Sequence, residues 1–270
     1  MKRRLHLGNT LKGVTAASIA AIAASAQPVL AEEEAAARPT ADLTVSALSQ
    51  YIWRGQELSQ DSIVIQPSMT VGYQGFAFNL WGNLDTDHFS EETNNWNETD
   101  MTLSYSRSMG MVSLTGGYIY YALDGAEDSQ EVFLGLTLDT LLSPTLTVYR
   151  EFSHYPSWYI TAGVSHSFAL PYDMSLDLGA LTAYLISDSE SAYPEIGDSG
   201  EPTGDEFSNF HEATLSASIS IPVAQYISIT PQAYITFPLS DDASDEMQWR
   251  SVDGDDDTFI YGGISASLSF

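Results

Sequence analysis

The chain has 270 residues, no cysteine, and thirty-six Asp and Glu against nine Lys and Arg, a formal net charge of −27. The missing thiols exclude disulfides, thiol catalysis and Cys-ligated metal. The acid excess excludes nucleic acid as a partner, because phosphate contacts need cations; it favours divalent cations or cationic ligands.

In chain order, the first element is an export signal. Lys2, Arg3, Arg4 and Lys12 accompany a weakly apolar run from Val14 to Ala26, and Val29-Leu30-Ala31 offers a cut after Ala31. That run falls far short of the ~20 residues a membrane-spanning helix requires. Cleavage removes four of the nine cations and no acid, leaving Arg38, Arg54, Arg107, Arg150 and Arg250 against thirty-six acids, a formal charge of −31. The expected organisation is a cleaved signal peptide over 1–31, a short periplasmic segment over 32–42 and a membrane barrel over 43–270.

Segments of about ten residues with alternating apolar and polar positions then follow one another, the weak signature of a transmembrane β-barrel. Val132, Leu134, Leu136 and Leu138 share one face, with Phe133, Gly135, Thr137 and Asp139 opposite. Ala213, Leu215, Ala217, Ile219 and Ile221 likewise oppose Thr214, Ser216, Ser218 and Ser220. This period predicts strands near 43–54, 61–74, 76–85, 98–107, 111–123 and 130–139. Six more are predicted near 145–154, 157–168, 175–187, 209–221, 226–237 and 257–270. The fold class is therefore all-β: a single antiparallel up-and-down barrel of about twelve strands, ten or fourteen if a hairpin is split or merged. Its connections alternate between tight turns, such as Gln74-Gly75, and long acidic stretches, such as 188–208 and 238–256. Tyr155-Pro156 is the one brief connection on the long side. An even count places both termini on the short-turn side, the periplasmic side of an outer-membrane barrel.

The last strand ends T-F-I-Y-G-G-I-S-A-S-L-S-F, with Leu268 in phase with Ala266, Ile264 and Ile260. Phe270 and Leu268 at the end of this alternating strand resemble the sorting signal read by the barrel-assembly machinery of Gram-negative bacteria. Tyr51, Trp53, Trp96, Tyr118, Tyr120, Tyr121, Trp158, Tyr159, Tyr172, Tyr184 and Tyr261 cluster toward strand ends and suit the two membrane interfaces. Trp81 is set apart, because Leu80 and Gly82 take the lipid face.

Arginines inside strands should avoid lipid at mid-depth, where they cost ~2–4 kcal/mol. Arg54, Arg107 and Arg150 are therefore candidates for the pore lining or its rim, with Asn79 and Asn83, and Glu57, Glu151 or Asp177 as pairing partners. Arg150 shares parity with Leu146 and Val148, which calls for a bulge or a shifted register. Asp253, Asp255, Asp256 and Asp257 head the acidic loops, whose oxygens suit Ca2+ or Mg2+. Their spacing is not that of an EF-hand, and solvated surface charge is the plainer reading. No nucleophile elbow, HExxH or paired-acid motif occurs, and Ser153 and His154 point to opposite faces, so no enzyme is expected.

The segments S-Q-Y-I-W-R-G (49–55), I-Q-P-S (65–68) and G-F-A-F-N-L-W-G-N (75–83) resemble those of a proteobacterial outer-membrane β-barrel family of uncharacterised function. The resemblance implies a barrel, an outer-membrane address amid lipid, and a structural or pore-rim role for Arg54 and Gly55. It implies no substrate and no catalytic residue. Two functions follow. One is a narrow channel for small solutes, lined by Thr44, Ser46, Gln50, Asn79 and Asn83. The other is a closed structural or interaction barrel, whose acidic extracellular loops bind divalent cations, lipopolysaccharide through bridging cations, or a surface partner, and which inward Leu48, Leu181 and Leu185 favour.

Overall fold

The computed structural model describes residues 38–59, 62–87, 94–197, 199–252 and 254–270. The expected signal peptide lies outside the described residues, as does Asp253. The chain opens with β1 (Thr40–Leu48), a short hairpin of β2 (Ile52–Trp53) and β3 (Gln56–Glu57), and then β4 (Val64–Tyr73). Next come β5 (Phe76–Asp85), β6 (Trp96–Met109), β7 (Val112–Leu123), β8 (Ser129–Leu138) and β9 (Thr145–Glu151). They lead into β10 (Ser157–Ala169), β11 (Ser175–Ser187) and a second small hairpin, β12 (Pro194–Ile196) with β13 (Pro202–Glu206). The chain finishes with β14 (Ser208–Ala224), β15 (Ile227–Pro238), helix α1 (Asp241–Arg250) and β16 (Phe259–Ser269).

Twelve of these strands form one closed antiparallel barrel, in the order β1-β16-β15-β14-β11-β10-β9-β8-β7-β6-β5-β4. Each pairs with its sequence neighbour in the wall, and β1 with β16 closes the ring, Leu43 opposite Leu268 and Ala47 opposite Ile264. Phe270 completes the closure: its N–H donates to Ala41 O at 2.9 Å, and Ala41 N–H donates back at 2.7 Å. Closure leaves no strand edge unpaired, as an apolar surrounding demands of any spanning sheet.

The period of two sorts the residues into two faces. Leu43, Val45, Met69, Val71, Phe78, Leu103, Leu134, Leu146, Val164, Leu178, Leu215 and Ile264 are all large, apolar and exposed on the outside. An exterior this apolar fits hydrocarbon and not water. Trp96, Tyr118, Trp158 and Tyr184 also face outward, toward strand ends, as an interfacial girdle does.

The connections at one end are short, from the two residues 74–75 to the six of 139–144. Gln74-Gly75 has φ of 50° and 85°, the two positive values of a type I′ turn, whose twist matches that of the flanking strands. The opposite end carries the long connections, including both small hairpins and α1. The brief exception expected at Tyr155-Pro156 is a loop over 152–156 on that same end. β1 starts at Thr40, so part of the segment assigned to a periplasmic tail is barrel wall.

The first strand also ends earlier than its sequence suggests, at Leu48. Residues 49–59 turn back into the barrel, and Tyr51, Trp53 and Leu58 form a core there with Val64, Trp81, Ile119 and Tyr121. A second core joins Tyr159, Ala183, Leu185, Ala192, Tyr193, Phe207 and Ala243. The loop end is thus filled, whereas small hydroxyl side chains line the turn end.

Candidate functional site

The filled end is organised around the β2–β3 hairpin. Its turn residues Arg54 and Gly55 have φ of 47° and 75°, again the type I′ signature. Glycine takes this conformation freely, whereas arginine there carries a steric cost of ~1–2 kcal/mol. The tip sits against helix α1: a Cβ on Gly55 would lie 3.0 Å from Met247 Sδ and 3.2 Å from His211 Cε1. Gly55→Val is therefore expected to push the hairpin off its seat. The check is cleavage of the Arg54 peptide bond by trypsin, which should be slow in the native chain and fast in the variant.

The hairpin places Arg54 in the lumen, its side chain 3% exposed. Nη2 donates to Oε2 of Glu131 at 2.8 Å, and the glutamate side chain is 2% exposed. Tyr121 Oη donates to the same oxygen at 2.8 Å. Three rings enclose the guanidinium, with centroids at 4.1 Å (Tyr159), 4.5 Å (Trp53) and 5.2 Å (Tyr149). Each such contact contributes up to ~2 kcal/mol when desolvated. Burial works against the Arg54 charge, but Glu131 and the nearby phenols outweigh it and hold the guanidinium above its usual range. Arg54 is thus a buried cation at neutral pH. A cavity of about 10 Å³, room for one water, lies beside the pair, between Trp53, Glu131, Glu151 and Tyr193.

A second buried network ties the long loops to this one. Arg250 pairs with Glu246 one helical turn earlier and donates to Ala192 O. Glu246 faces His211 Nε2 at 3.0 Å, and His211 Nδ1 faces Glu212 at 2.5 Å. Tyr159, the ring under Arg54, donates to Glu212. His211 and Glu212 are adjacent yet both buried, because β14 carries a bulge there: Thr182 pairs with Ala213 while Tyr184 pairs with Phe210. Arg250 and His211 hold the Glu246 carboxyl below its usual range against the effect of burial.

The hairpin is incompletely satisfied. Trp53 Nε1, Arg54 Nε, both polar atoms of the Gln56 amide and Ser62 Oγ are buried without a hydrogen-bond partner among the described residues. Each such group costs ~1–3 kcal/mol. The seat holds the hairpin by the Arg54–Glu131 ion pair, by the hydrogen bond of Glu57 with Val252 N–H and by packing, and leaves several polar groups unmet.

The sequence-predicted candidates separate. Arg54 lies in the lumen, but in a turn and not a strand, and its partner is Glu131, not Glu57, Glu151 or Asp177. Glu57 instead accepts from Val252 N–H, and Glu151 receives Ser153 and the backbone of the 152–156 loop. Asn79 and Asn83 both face inward. Asn79 donates to Ser68 and Thr70 at 2.9 and 2.8 Å, and fully buried Asn83 links Gln66 to Asn97. Arg107 and Arg150 do not line the lumen. Arg107 pairs across the wall with Leu114 on the exterior, near the turn end. Arg150 stacks over Trp158 at 5.0 Å and pairs with Asp188 at the outer rim. No bulge intervenes; the strand simply ends where the cost of an outward charge falls away.

Five of the expected girdle aromatics also turn inward: Tyr51, Trp53, Tyr121, Tyr159 and Tyr261. Parity separates Tyr121 from Tyr120 and Tyr159 from Trp158, since neighbours on a strand point to opposite faces. Asp255 and Asp256 are exposed, and Asp257 accepts from Ser244 and Gln248 of α1. Among the described residues, no three His, Asp or Glu side chains are placed to hold a metal.

The remaining lumen is lined by small polar side chains. Thr44 bonds Ser267, Ser46 bonds Ser265, Ser106 bonds Thr115 and Ser108 bonds Ser113, at 2.7 to 2.8 Å. The wall is acidic: Asp42, Asp85, Glu98, Asp100, Glu131, Glu151, Asp177 and Glu212 face inward, with His211 held between two carboxylates, while Arg107 and Arg150 face out.

No protein-family model matches the sequence, and no curated protein matches it either. Solved structures do resemble the fold. A structure described as a KdgM porin is 11% identical with a TM-score of 0.52, over 85% of this chain and 99% of that one. A structure described as a NanC porin is 10% identical with a TM-score of 0.55, over 84% of this chain and 100% of that one. At such identities the likeness concerns the fold: a closed twelve-stranded porin-type barrel.

Proposed function

We propose that the chain is a narrow channel of a bacterial outer membrane, passing small solutes by diffusion, and that the β2–β3 hairpin closes it. The observation that carries this reading is the contrast between the two ends. The turn end is lined by hydroxyl side chains with inward-facing residues open to water, such as Ser165 and Ser167. The loop end is filled by a hairpin belonging to a connection, with unmet polar groups of its own. A wall meant to stay shut would close with its own side chains. Twelve strands leave a bore between that of a filled eight-stranded barrel and that of a sixteen-stranded porin, and both similar structures carry the name porin. Membership of the outer-membrane family that residues 49–55 and 75–83 resemble is part of the same proposal.

The closed structural barrel is favoured by Trp81, Leu185 and Tyr159, which pack the loop end from the wall itself. Solute flux separates the two. Liposomes carrying the folded chain should admit small uncharged solutes slowly, and those carrying Arg54→Ala much faster. Equal impermeability of both, with each barrel folded, would favour the closed reading.

A further inference from the structure

We infer that the lumen holds a binding site for organic cations, formed by Glu131 and the rings of Tyr149 and Tyr159, and that Arg54 occupies it as a tethered surrogate in the closed channel. The inference deepens the channel reading, on which it rests, by naming the solute class as molecules bearing a guanidinium or alkylammonium group.

Three observations converge. First, the seat has the two components such a cation requires. A carboxylate fixed by Tyr121 offers a charge-assisted hydrogen bond, and aromatic faces cover the cation's flat sides. Tyr149 and Tyr159 belong to the wall, on β9 and β10, and their centroids lie 6.1 Å apart at 47°. They remain when the hairpin leaves. Second, the seat is already filled by a cation, and imperfectly. Arg54 Nε is buried without a partner, so the tethered guanidinium satisfies only part of its own hydrogen-bonding capacity there. A free ligand, with no turn geometry to obey, can orient all its donors. Third, the approach is selective by sign. Every Asp, Glu, Lys or Arg that the barrel strands direct inward is an acid, and the inward-facing His211 is held between Glu212 and Glu246, so the path to Glu131 concentrates cations and repels anions.

A site held by its own chain binds a competitor only in the fraction of molecules whose hairpin is out, which weakens apparent affinity by that fraction. Removing the surrogate should therefore reveal the ligand. The experiment is calorimetric titration of arginine amide into the folded full chain in detergent, comparing native protein, Arg54→Ala and the double variant R54A/E131Q. Folding is read from the heat-dependent gel mobility of the barrel. Arg54→Gly serves as a second form, since glycine keeps the positive φ of the turn and protects against a folding defect.

The site predicts saturable binding to both single variants, about a hundredfold or more tighter than to the native chain, and its loss in R54A/E131Q. Glutamate amide should not bind. Absence of arginine amide binding in both folded single variants would overturn the site, as would binding that survives E131Q. The channel is read separately from flux: binding without flux retires the channel and keeps the site, and flux without binding does the reverse.

Discussion

Replacing Glu131 with glutamine is expected to release the hairpin and expose the Arg54–Gly55 bond to trypsin. The substitution keeps the shape of the side chain and removes the only anion, among the described residues, within hydrogen-bond distance of the Arg54 guanidinium, which is 2.8 Å away. Breaking one side of a buried ion pair costs ~3–5 kcal/mol, because the remaining charge stays desolvated. Each 1.4 kcal/mol is a factor of ten, so the hairpin-out population should rise by about a hundredfold to a few thousandfold. Cleavage that tracks the open population should rise with it. The map is simple to read: beyond Lys12 the sequence has no lysine, and Arg38, Arg54, Arg107, Arg150 and Arg250 are its only arginines. Unchanged resistance at Arg54, with cleavage at exposed Arg38 as the control, would show that Glu131 does not hold the hairpin.

Putting arginine at position 134 should prevent assembly, whereas arginine at position 115 should be tolerated. Leu134 is 61% exposed on the outer face at the middle of β8, so Leu134→Arg sets a charge in the hydrocarbon at a cost of ~2–4 kcal/mol. Thr115 lies at similar depth on β7 but faces the lumen, where it bonds Ser106. There Thr115→Arg meets water and an acidic wall. The readout is the yield of folded barrel with heat-dependent mobility after refolding into lipid vesicles. Equal yields from both would mean that the apolar exterior is not a lipid-facing surface.

The barrel was legible because its strands obey one period. Leu134 and Leu136 face out, and Phe133 and Thr137 face in, as their alternation requires. Closure by β1 and β16 followed from the even count. The plug was harder to read, for local reasons. The alternation of β1 runs on in name through Gln50, but Tyr51, Ile52 and Trp53 are three large apolar residues in succession, and the Arg-Gly dipeptide after them is a turn signal. Together they mark a hairpin and not a strand end. Helix α1 was hidden because two of its four buried residues are charged. Ala243, Glu246, Met247 and Arg250 keep the helical spacing, yet the segment reads as an acidic loop. Ser240 starts it by accepting from Ala243 N–H, and Asp241 and Asp242 occupy its first turn, where the dipole favours anions. Nor does the sequence suggest the partnership of Arg54 with Glu131, which lie 77 residues apart and meet only when the barrel has closed.

In the proposed channel a hairpin, and not the wall, shuts the barrel. Single-channel recording in a planar bilayer tests it most directly, with the native chain, Arg54→Ala and Glu131→Gln examined as folded proteins under the same salt. The native channel should be closed most of the time with brief steps, and the variants should stay open at the same step size, passing cations in preference to anions. Silence from all three folded proteins would contradict it, and so would a native channel already as open as its variants.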